Sequence, residues 1–555
     1  MSAKYSCQTI AALLRLHDVR DVVLSPGSRN LPIIQAIDEE ESLRKHIVID
    51  ERSAAFMALG MAQADRRPVA VVCTSGTALL NYAPAVAEAF YQHLPLIVIS
   101  ADRPGQWIDQ DDSQTIRQPG ALANFVKYSC DLPDYDDPSG EMGWYARRCV
   151  NDALLAAVSP DAGPVHINVQ LSEPLLCDFP VLEDIRPIRC LRADDTLTRE
   201  QVKELAVVLR HKKVMVVAGF MSPSSVMSQG LTILASLPNV VVLAETTANV
   251  YGRGIFHCVD RILTLVNDGD PVFTPDIVIT VGGPLVSRHL KAFLRAAPGV
   301  RHWSVGHSHV SADVFKHLEM RINASADKFI HAIADALAQE QTACTYAAAW
   351  HSLRVADNKR HDKRVSLSGW SSLKAFATFW PMIQPRTNVQ LSNGTCVRYA
   401  QLFYNPSIHS CHCNRGVSGI DGCTSTAVGA SMIYEGITLL VTGDMSFAYD
   451  SGALALPAPD RFKIIVMNNG GGGIFRFIKA TRSYSGVEKY LCADPHLQVR
   501  NLAELSGYAY FRAESEEQLR SSFEAFMHTP SRAILEIVLP PDLDAKAITD
   551  YFRHE

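Results

Sequence analysis

The chain has 555 residues, 47% hydrophobic and 20% charged, with 52 Lys+Arg against 58 Asp+Glu and a formal net charge of -6. At about 150 residues per domain, this length predicts three or four domains, each able to bury its own core, and the composition excludes a disordered chain, a coiled coil and a collagen-like repeat. The slight acidic balance gives no general attraction to nucleic-acid phosphates or anionic lipid, and no window approaches the ~18 uninterrupted apolar residues of a membrane span.

The first stretch, MSAKYSCQTIAALLRLHDVR, has its apolar run broken by Arg15, His17 and Asp18 and lacks a small-x-small cleavage site, so it reads as a retained first helix. From there to about residue 180, β-branched runs alternate with helical patterns. The strands are DVVLS (21–25), HIVID (46–50), PVAVVCTS (68–75), LPLIVISAD (94–102) and GPVHINVQ (163–170), and a long helix, ERSAAFMALGMAQ, follows the second. Such alternation calls for a parallel sheet covered by helices on both faces. A Pro- and charge-rich segment at 181–198 reads as a linker. A second α/β region opens with KVMVVAGF (213–220), NVVVLAE (239–245) and DIVITVGG (276–283) and closes with a helix near 325–339. A charged helical connector, QEQTACTYAAAWHSLRVADNKRHDKR, leads to a third set of strands: NVQLSN (388–393), ITLLVTGD (437–444), FKIIVMNN (462–469) and AILEIVL (533–539). The expected fold class is α/β, with three doubly wound parallel-sheet domains at 1–180, 199–340 and 365–555. Thirteen cysteines, an odd number scattered over strands and helices, are expected to be buried thiols in a reducing compartment, the cytoplasm.

The densest chemical signal runs from Gly443 to Phe475, where Asp444 ends one predicted strand and Asn469 ends the next. In open α/β sheets ligands sit outside the carboxyl ends of the strands, and a carboxylate with an amide carbonyl suits an octahedral Mg²⁺ bridging a diphosphate. The run Gly470 to Gly473 lets backbone approach such a ligand and lend a carbonyl. Taken singly, Asp444 could be a helix cap and Asn469 part of an Asn-Gly turn; together at adjoining strand ends they point to a metal. Two other signals carry less. The run CHC at 411–413 has no second Cys or His pair at zinc spacing and reads as buried strand. The glycine cluster fits no GxGxxG pattern, which disfavours a dinucleotide.

Several fragments share a resemblance with these residues: SPGSRN (25–30), DERSAAFMALG (50–60), CTSGTA (73–78), SADRP (100–104), IRQPG (116–120), CNRGVSGIDG (413–422) and NNGGGGIF (468–475). They occur in order from about residue 20 to 480, and the chain resembles the thiamin diphosphate enzymes, specifically the 2-succinyl-5-enolpyruvyl-6-hydroxy-3-cyclohexene-1-carboxylate synthase family of menaquinone biosynthesis. The resemblance implies a pyrimidine-binding domain first, a central domain that binds no thiamin, and a diphosphate- and metal-binding domain last, in the pyruvate decarboxylase-like arrangement. It implies thiamin diphosphate with Mg²⁺ or Mn²⁺ as cofactors, 2-oxoglutarate and isochorismate as substrates, and active sites between subunits of a homodimer or homotetramer.

By the same resemblance Glu51 faces the aminopyrimidine N1′ and favours the imino tautomer whose N4′ removes the C2 proton; alone, Glu51 reads as a first-turn acid of a helix. Ile420 matches the apolar prop of the bent cofactor, and Thr77 and Gln114 match hydrogen-bonding groups around it. Asp444, Asn469 and the Gly471 carbonyl match the metal ligands. Both substrates are dicarboxylates, which guanidinium forks bind bidentately. Ser28, Arg29, Arg103, Arg288, Arg398 and Arg415 match substrate-binding positions in expected strand-end or loop contexts, and Ile474, Phe475 and Ile478 match an apolar wall over the reacting carbons. The chain departs from the family pattern at Gly394, where many members have serine, at Arg288, where others have lysine, and at Ser113, where asparagine is frequent. Another thiamin diphosphate decarboxylase or carboligase, or a non-catalytic cofactor-binding relative, is the alternative reading.

Overall fold

A computed structural model of the chain describes residues 4–553 except 177, 179–181, 183, 184, 194, 308, 309 and 340–342. Residues 181, 183, 184 and 194 of the expected linker and 340–342 of the expected connector lie outside the described residues. The chain forms two compact units. One comprises residues 1–192, 414–435 and 449–459, the other 193–413, 436–448 and 460–555. Residues 414–435 and 449–459, which the sequence reading includes in its third region, group with the first unit.

The first unit is built on six strands, β1 (Asp21–Leu24), β2 (Arg44–Ile47), β3 (Val69–Cys73), β4 (Leu96–Asp102), β5 (Tyr128–Leu132) and β6 (Val165–Gln170). They pair in the order β2-β1-β3-β4-β6-β5, all parallel. Central strands β3 and β4 are buried along their whole length, which is why they read as continuous apolar runs. Val22, Val72, Ile97, Ile99 and Ile167 join Ile10, Leu13 and Leu14 of the helix Tyr5–Leu16 and Val150 and Leu154 of the helix Glu141–Ala157 in one core. Each such fully buried side chain contributes ~1.5–3 kcal/mol. β2 stops at Ile47 because residues 48–50 turn into the next helix, Glu51–Asp65, whose N-cap Asp50 accepts hydrogen bonds from the backbone N–H groups of Arg52 and Ser53.

That helix is buried on nearly every side, and it lies against the helix Cys423–Ile433 at van der Waals limits. A Cβ on Gly60 would fall 1.9 Å from the Thr426 carbonyl oxygen, and one on Gly429 would fall 1.9 Å from the Met57 carbonyl oxygen. The two glycines therefore set the helix separation. Only backbone stands in the way, so no side chain can swing aside.

The second unit holds two parallel sheets. The first contains β7 (Val214–Ala218), β8 (Val240–Ala244), β9 (Ile277–Val281), β10 (Arg301–Val305) and β11 (Leu318–Ile322), ordered β11-β10-β9-β7-β8. The second contains β12 (Asn388–Leu391), β13 (Ser410–Cys413), β14 (Thr438–Gly443), β15 (Phe462–Asn468), β16 (Ala509–Ala513) and β17 (Ala533–Val538), ordered β13-β12-β14-β15-β17-β16. The CHC run lies in β13 and is buried, as expected. Among the described residues no cluster of three or more His, Cys, Asp or Glu side chains could hold a metal ion, and no helix is long and apolar enough to cross a membrane. The connector forms the helix Tyr346–Leu367.

Helix propensity alone makes a helical Gly→Ala change stabilising by ~1 kcal/mol. The contact at Gly429 reverses the sign: Gly429→Ala should destabilise the protein by about 1–3 kcal/mol or more, measured from denaturant midpoints. A gain in stability would contradict the close helix contact.

Candidate active site

Most of the sequence-predicted residues follow carboxyl ends of parallel strands, the side of an open α/β sheet where ligands bind. In the first unit Ser28 and Arg29 follow β1, Glu51 follows β2, Thr77 follows β3 and Arg103 follows β4. In the second unit Arg288 follows β9, Arg398 follows β12, Asp444 follows β14, and Asn469 and Gly471 follow β15. In the third sheet β13 and β14 lie on opposite sides of β12, so a crevice opens between the ends of β12 and β14. There Gly443 N–H donates to Ser392 Oγ at 3.2 Å.

Asp444 is the anchor of this edge. It is buried, and its Oδ1 accepts the N–H of Met445 at 2.7 Å while Oδ2 accepts those of Asn469 at 3.1 Å and Gly471 at 2.8 Å. Burial pushes its carboxyl above the usual carboxylate range, against the pull of the three N–H donors. Asn469 Nδ2 donates at 2.8 Å to Asp544, on the helix Pro541–Tyr551. That bond fixes the amide so that Oδ1 is left to accept. Asp544 is itself held by the Ser372 N–H at 2.6 Å and Ser372 Oγ at 3.0 Å.

The glycine run takes left-handed φ values of 73°, 82° and 36° at Gly470, Gly471 and Gly472. Arg476, which the sequence reading passed over, binds the carbonyls of three successive residues: Nη1 donates to Asn469 O at 3.2 Å and Gly471 O at 2.9 Å, and Nη2 to Gly470 O at 3.2 Å. The same guanidinium pairs with Glu488 at 3.0 Å. The Gly471 carbonyl, expected as a metal ligand, is thus engaged by a cation. An arginine three residues after a glycine run was the signal available. Ile474, Phe475 and Ile478 are half-buried beside this loop.

Arg398 differs from its expected strand-end or loop context: it lies within the short helix Cys396–Ala400, where Nη1 reaches back to the Gly394 carbonyl. Gly394 has φ +92°, a conformation that L side chains rarely adopt. Arg288, also expected in a strand-end or loop context, opens the helix Arg288–Ala296 as its first residue.

In the first unit, Arg29 is buried and donates to the Leu171 carbonyl at 3.1 Å, with Glu173 paired at 3.1 Å. Burial lowers its pKa, and the nearby charge of Arg103 adds to the effect. Arg103 pairs with Asp112 at 2.8 Å and donates to the Ser113 carbonyl at 3.1 Å, which ties it to the loop carrying Gln114. Gln114 is exposed, as is Thr77. Gln118, fully buried, joins these pieces: its Oε1 accepts Gly76 N–H at 2.7 Å, and its Nε2 donates to Ala101 O at 3.1 Å and Asn168 Oδ1 at 2.8 Å. Asn168 in turn donates to Asp102 at 2.9 Å and Asp131 at 2.8 Å. Burial raises Asp102 to about 6.

Glu51 is half-buried, and its charge adds to burial in raising the Cys73 thiol and the Tyr82 phenol. Glu88 is a second acid that the sequence reading missed. It is buried, and its carboxylate accepts Gly416 N–H at 2.6 Å and Val417 N–H at 2.7 Å, with Arg415 close enough to oppose the upward push of burial on its pKa. Glu88 therefore grips the loop that carries Arg415 and Ile420. These main-chain partners lie 328 and 329 residues away in sequence, beyond the reach of any local motif.

Residues 7–121 match the family model described as thiamine pyrophosphate enzyme, N-terminal TPP binding domain. Over their full lengths the chain is similar to proteins named 2-succinyl-5-enolpyruvyl-6-hydroxy-3-cyclohexene-1-carboxylate synthase. The one from Porphyromonas gingivalis is 38% identical, with 100% of this chain and 97% of the relative covered. That from Flavobacterium psychrophilum is 35% identical, with 99% and 98% covered, and that from Desulfotalea psychrophila is 34% identical, with 98% and 99% covered. With identity of this extent running through all three sheets and the strand-end residues in place, the chain belongs to the 2-succinyl-5-enolpyruvyl-6-hydroxy-3-cyclohexene-1-carboxylate synthase family of thiamin diphosphate enzymes.

Proposed function

We propose that this transferase converts 2-oxoglutarate and isochorismate into 2-succinyl-5-enolpyruvyl-6-hydroxy-3-cyclohexene-1-carboxylate and CO₂ in menaquinone biosynthesis, using thiamin diphosphate and Mg²⁺ or Mn²⁺. The observation that carries this reading is the buried Asp444 carboxylate, which joins the ends of neighbouring strands β14 and β15 and stands beside an amide whose oxygen is left free to accept. The donor chemistry fits a hard dication: Asp444 Oδ1 and Asn469 Oδ1 are the oxygen ligands such an ion takes. The Gly471 carbonyl, which accepts one hydrogen bond from Arg476, keeps a second lone pair for such an ion.

When bound, thiamin diphosphate supplies the electron sink for loss of CO₂ from a 2-oxo acid. The chain's own residues do the rest. Glu51 holds a proton at the pyrimidine N1′ and so controls which tautomer is present. Thr77 and Gln114 donate and accept around the reaction centre, and Ile420 supports the bent cofactor. Ser28, Arg29, Arg103, Arg288, Arg398 and Arg415 offset the carboxylate charge of the two substrates. Ile474, Phe475 and Ile478 exclude water from the reacting carbons, which keeps a carbon nucleophile from early protonation.

The proposed domains are a pyrimidine-binding domain at 1–180, a central domain at 199–340 that contributes Arg288, and a diphosphate-binding domain at 365–555. Glu51, Thr77, Gln114 and Ile420 belong to one unit and Asp444 and Asn469 to the other; membership of the family supports a homodimer or homotetramer with active sites between subunits. The buried thiols Cys73, Cys130 and Cys411 support a cytoplasmic location.

Incubation of the purified protein with thiamin diphosphate, Mg²⁺ and 2-oxoglutarate, with and without isochorismate, should give CO₂ and, with both substrates, a product of the mass of the succinyl adduct. Absence of the adduct, with a different 2-oxo acid consumed instead, would overturn the assignment. Glu51→Gln should retain cofactor binding but slow deuterium exchange at the thiazolium C2 by about 100-fold or more, as followed by quenched-flow NMR. Exchange at the wild-type rate would remove Glu51 from its role.

A further inference from the structure

The second unit contains a cavity of about 440 Å³ whose charged lining is unbalanced. Arg288, Arg398, Arg482 and Arg553 border it, against the single carboxylate of Asp260. Asp260 is already engaged, accepting from Ser287 Oγ and meeting His289 Nδ1 at 3.3 Å. Arg553 pairs with Asp550 at 3.4 Å, and Arg398 reaches the Gly394 carbonyl. Among the described residues no acid lies in salt-bridge range of Arg288 or Arg482. The excess is therefore cationic, and it stands next to apolar surface from Phe477, Ile478 and Phe552.

Arg288 is rigidly mounted. Ser287 caps its helix by accepting Leu290 N–H at 2.9 Å, and the buried Glu245 accepts the N–H groups of Val286 at 2.8 Å and Ser287 at 2.7 Å. Arg482 ends the short helix Lys479–Arg482, four residues after Ile478, so it borders the same cavity from the element that follows the apolar wall. Guanidiniums brought to one cavity from β9, β12 and the segment after β15 match a ligand with separated anionic groups on an apolar body. The acceptor of the proposed reaction has that form: one carboxylate on its ring and a second on the enolpyruvyl group that the ring carries. 2-Oxoglutarate is also a dicarboxylate but lacks the ring that the apolar lining would cover.

We propose that Arg482 is a specificity-determining residue that binds one carboxylate of the acceptor while Arg288 and Arg398 take the other. This rests on the function proposed above. The motif-by-motif reading did not reach Arg482 because it lies in KATRSYSG, beyond the last matching fragment.

The test uses the full-length protein with thiamin diphosphate and Mg²⁺. Arg482→Ala should raise KM for isochorismate about tenfold or more, change KM for 2-oxoglutarate by less than twofold, and narrow the preference for isochorismate over an analogue lacking one carboxylate. Arg482→Lys should recover part of the loss, since an ammonium keeps the charge without the fork. An unchanged KM for isochorismate in a variant with the wild-type melting temperature would overturn the inference, as would equal rises in both KM values. Wild-type protein that fails to consume 2-oxoglutarate would instead overturn the function on which the inference rests.

Discussion

The organisation of the second unit's site depends on one buried carboxylate. Asp444 lies just past β14, and its oxygens collect N–H groups from its own helix and from the turn after β15. A carboxylate taken out of water needs such donors, because leaving it unpaired would cost several kcal/mol. The consequence is positional: with Asp444 satisfied by Asn469 and Gly471, the glycine turn cannot drift from the strand ends. Asp544 then sets which face of the Asn469 amide is presented, and Arg476 ties down the carbonyls on the other side of the turn. A preorganised oxygen pair results, supported by second partners of the kind that tune metal sites.

The first unit uses the same economy of buried polar groups for a different purpose. Gln118 and Glu88 are each buried in full or nearly so, and each makes two hydrogen bonds to main-chain groups of other segments. Gln118 links the turn before Thr77 to the end of β4, next to Arg103. Glu88 links the C-terminal part of the Thr77–Gln92 helix to the loop bearing Arg415 and Ile420. Loops that carry function need such anchors, since mobile loops cannot hold catalytic geometry. The helix Glu51–Asp65, which Glu51 opens, is fixed in turn by its glycine-mediated contact with the helix Cys423–Ile433.

Much of this was legible in the sequence, for physical reasons. Buried central strands such as β3, β4, β14 and β15 appear as unbroken apolar runs, and the strand ends bearing Asp444 and Asn469 are visible in the sequence. Edge strands β5, β11 and β16 were missed because one side faces solvent, so that YSCDL, LEMRI and AYFRA alternate or mix polar residues. β10, RHWSV, was missed because its buried His302 reads as polar. HIVID was read too far because its last residues serve the helix cap instead of the sheet. Glu88 and Gln118 escaped because their roles exist only through distant partners, and the short helix around Arg398 because a single turn leaves no periodic signature.

The central claim, that Asp444 pins a divalent ion against the cofactor's diphosphate, is open to direct spectroscopic test with Mn²⁺ in place of Mg²⁺. Electron–nuclear double resonance of the protein loaded with Mn²⁺ and thiamin diphosphate should reveal coupling between the manganese and the cofactor's phosphorus nuclei. In Asp444→Ala that coupling should vanish along with tight metal binding. The same phosphorus coupling and the same Mn²⁺ affinity in the variant would contradict the account.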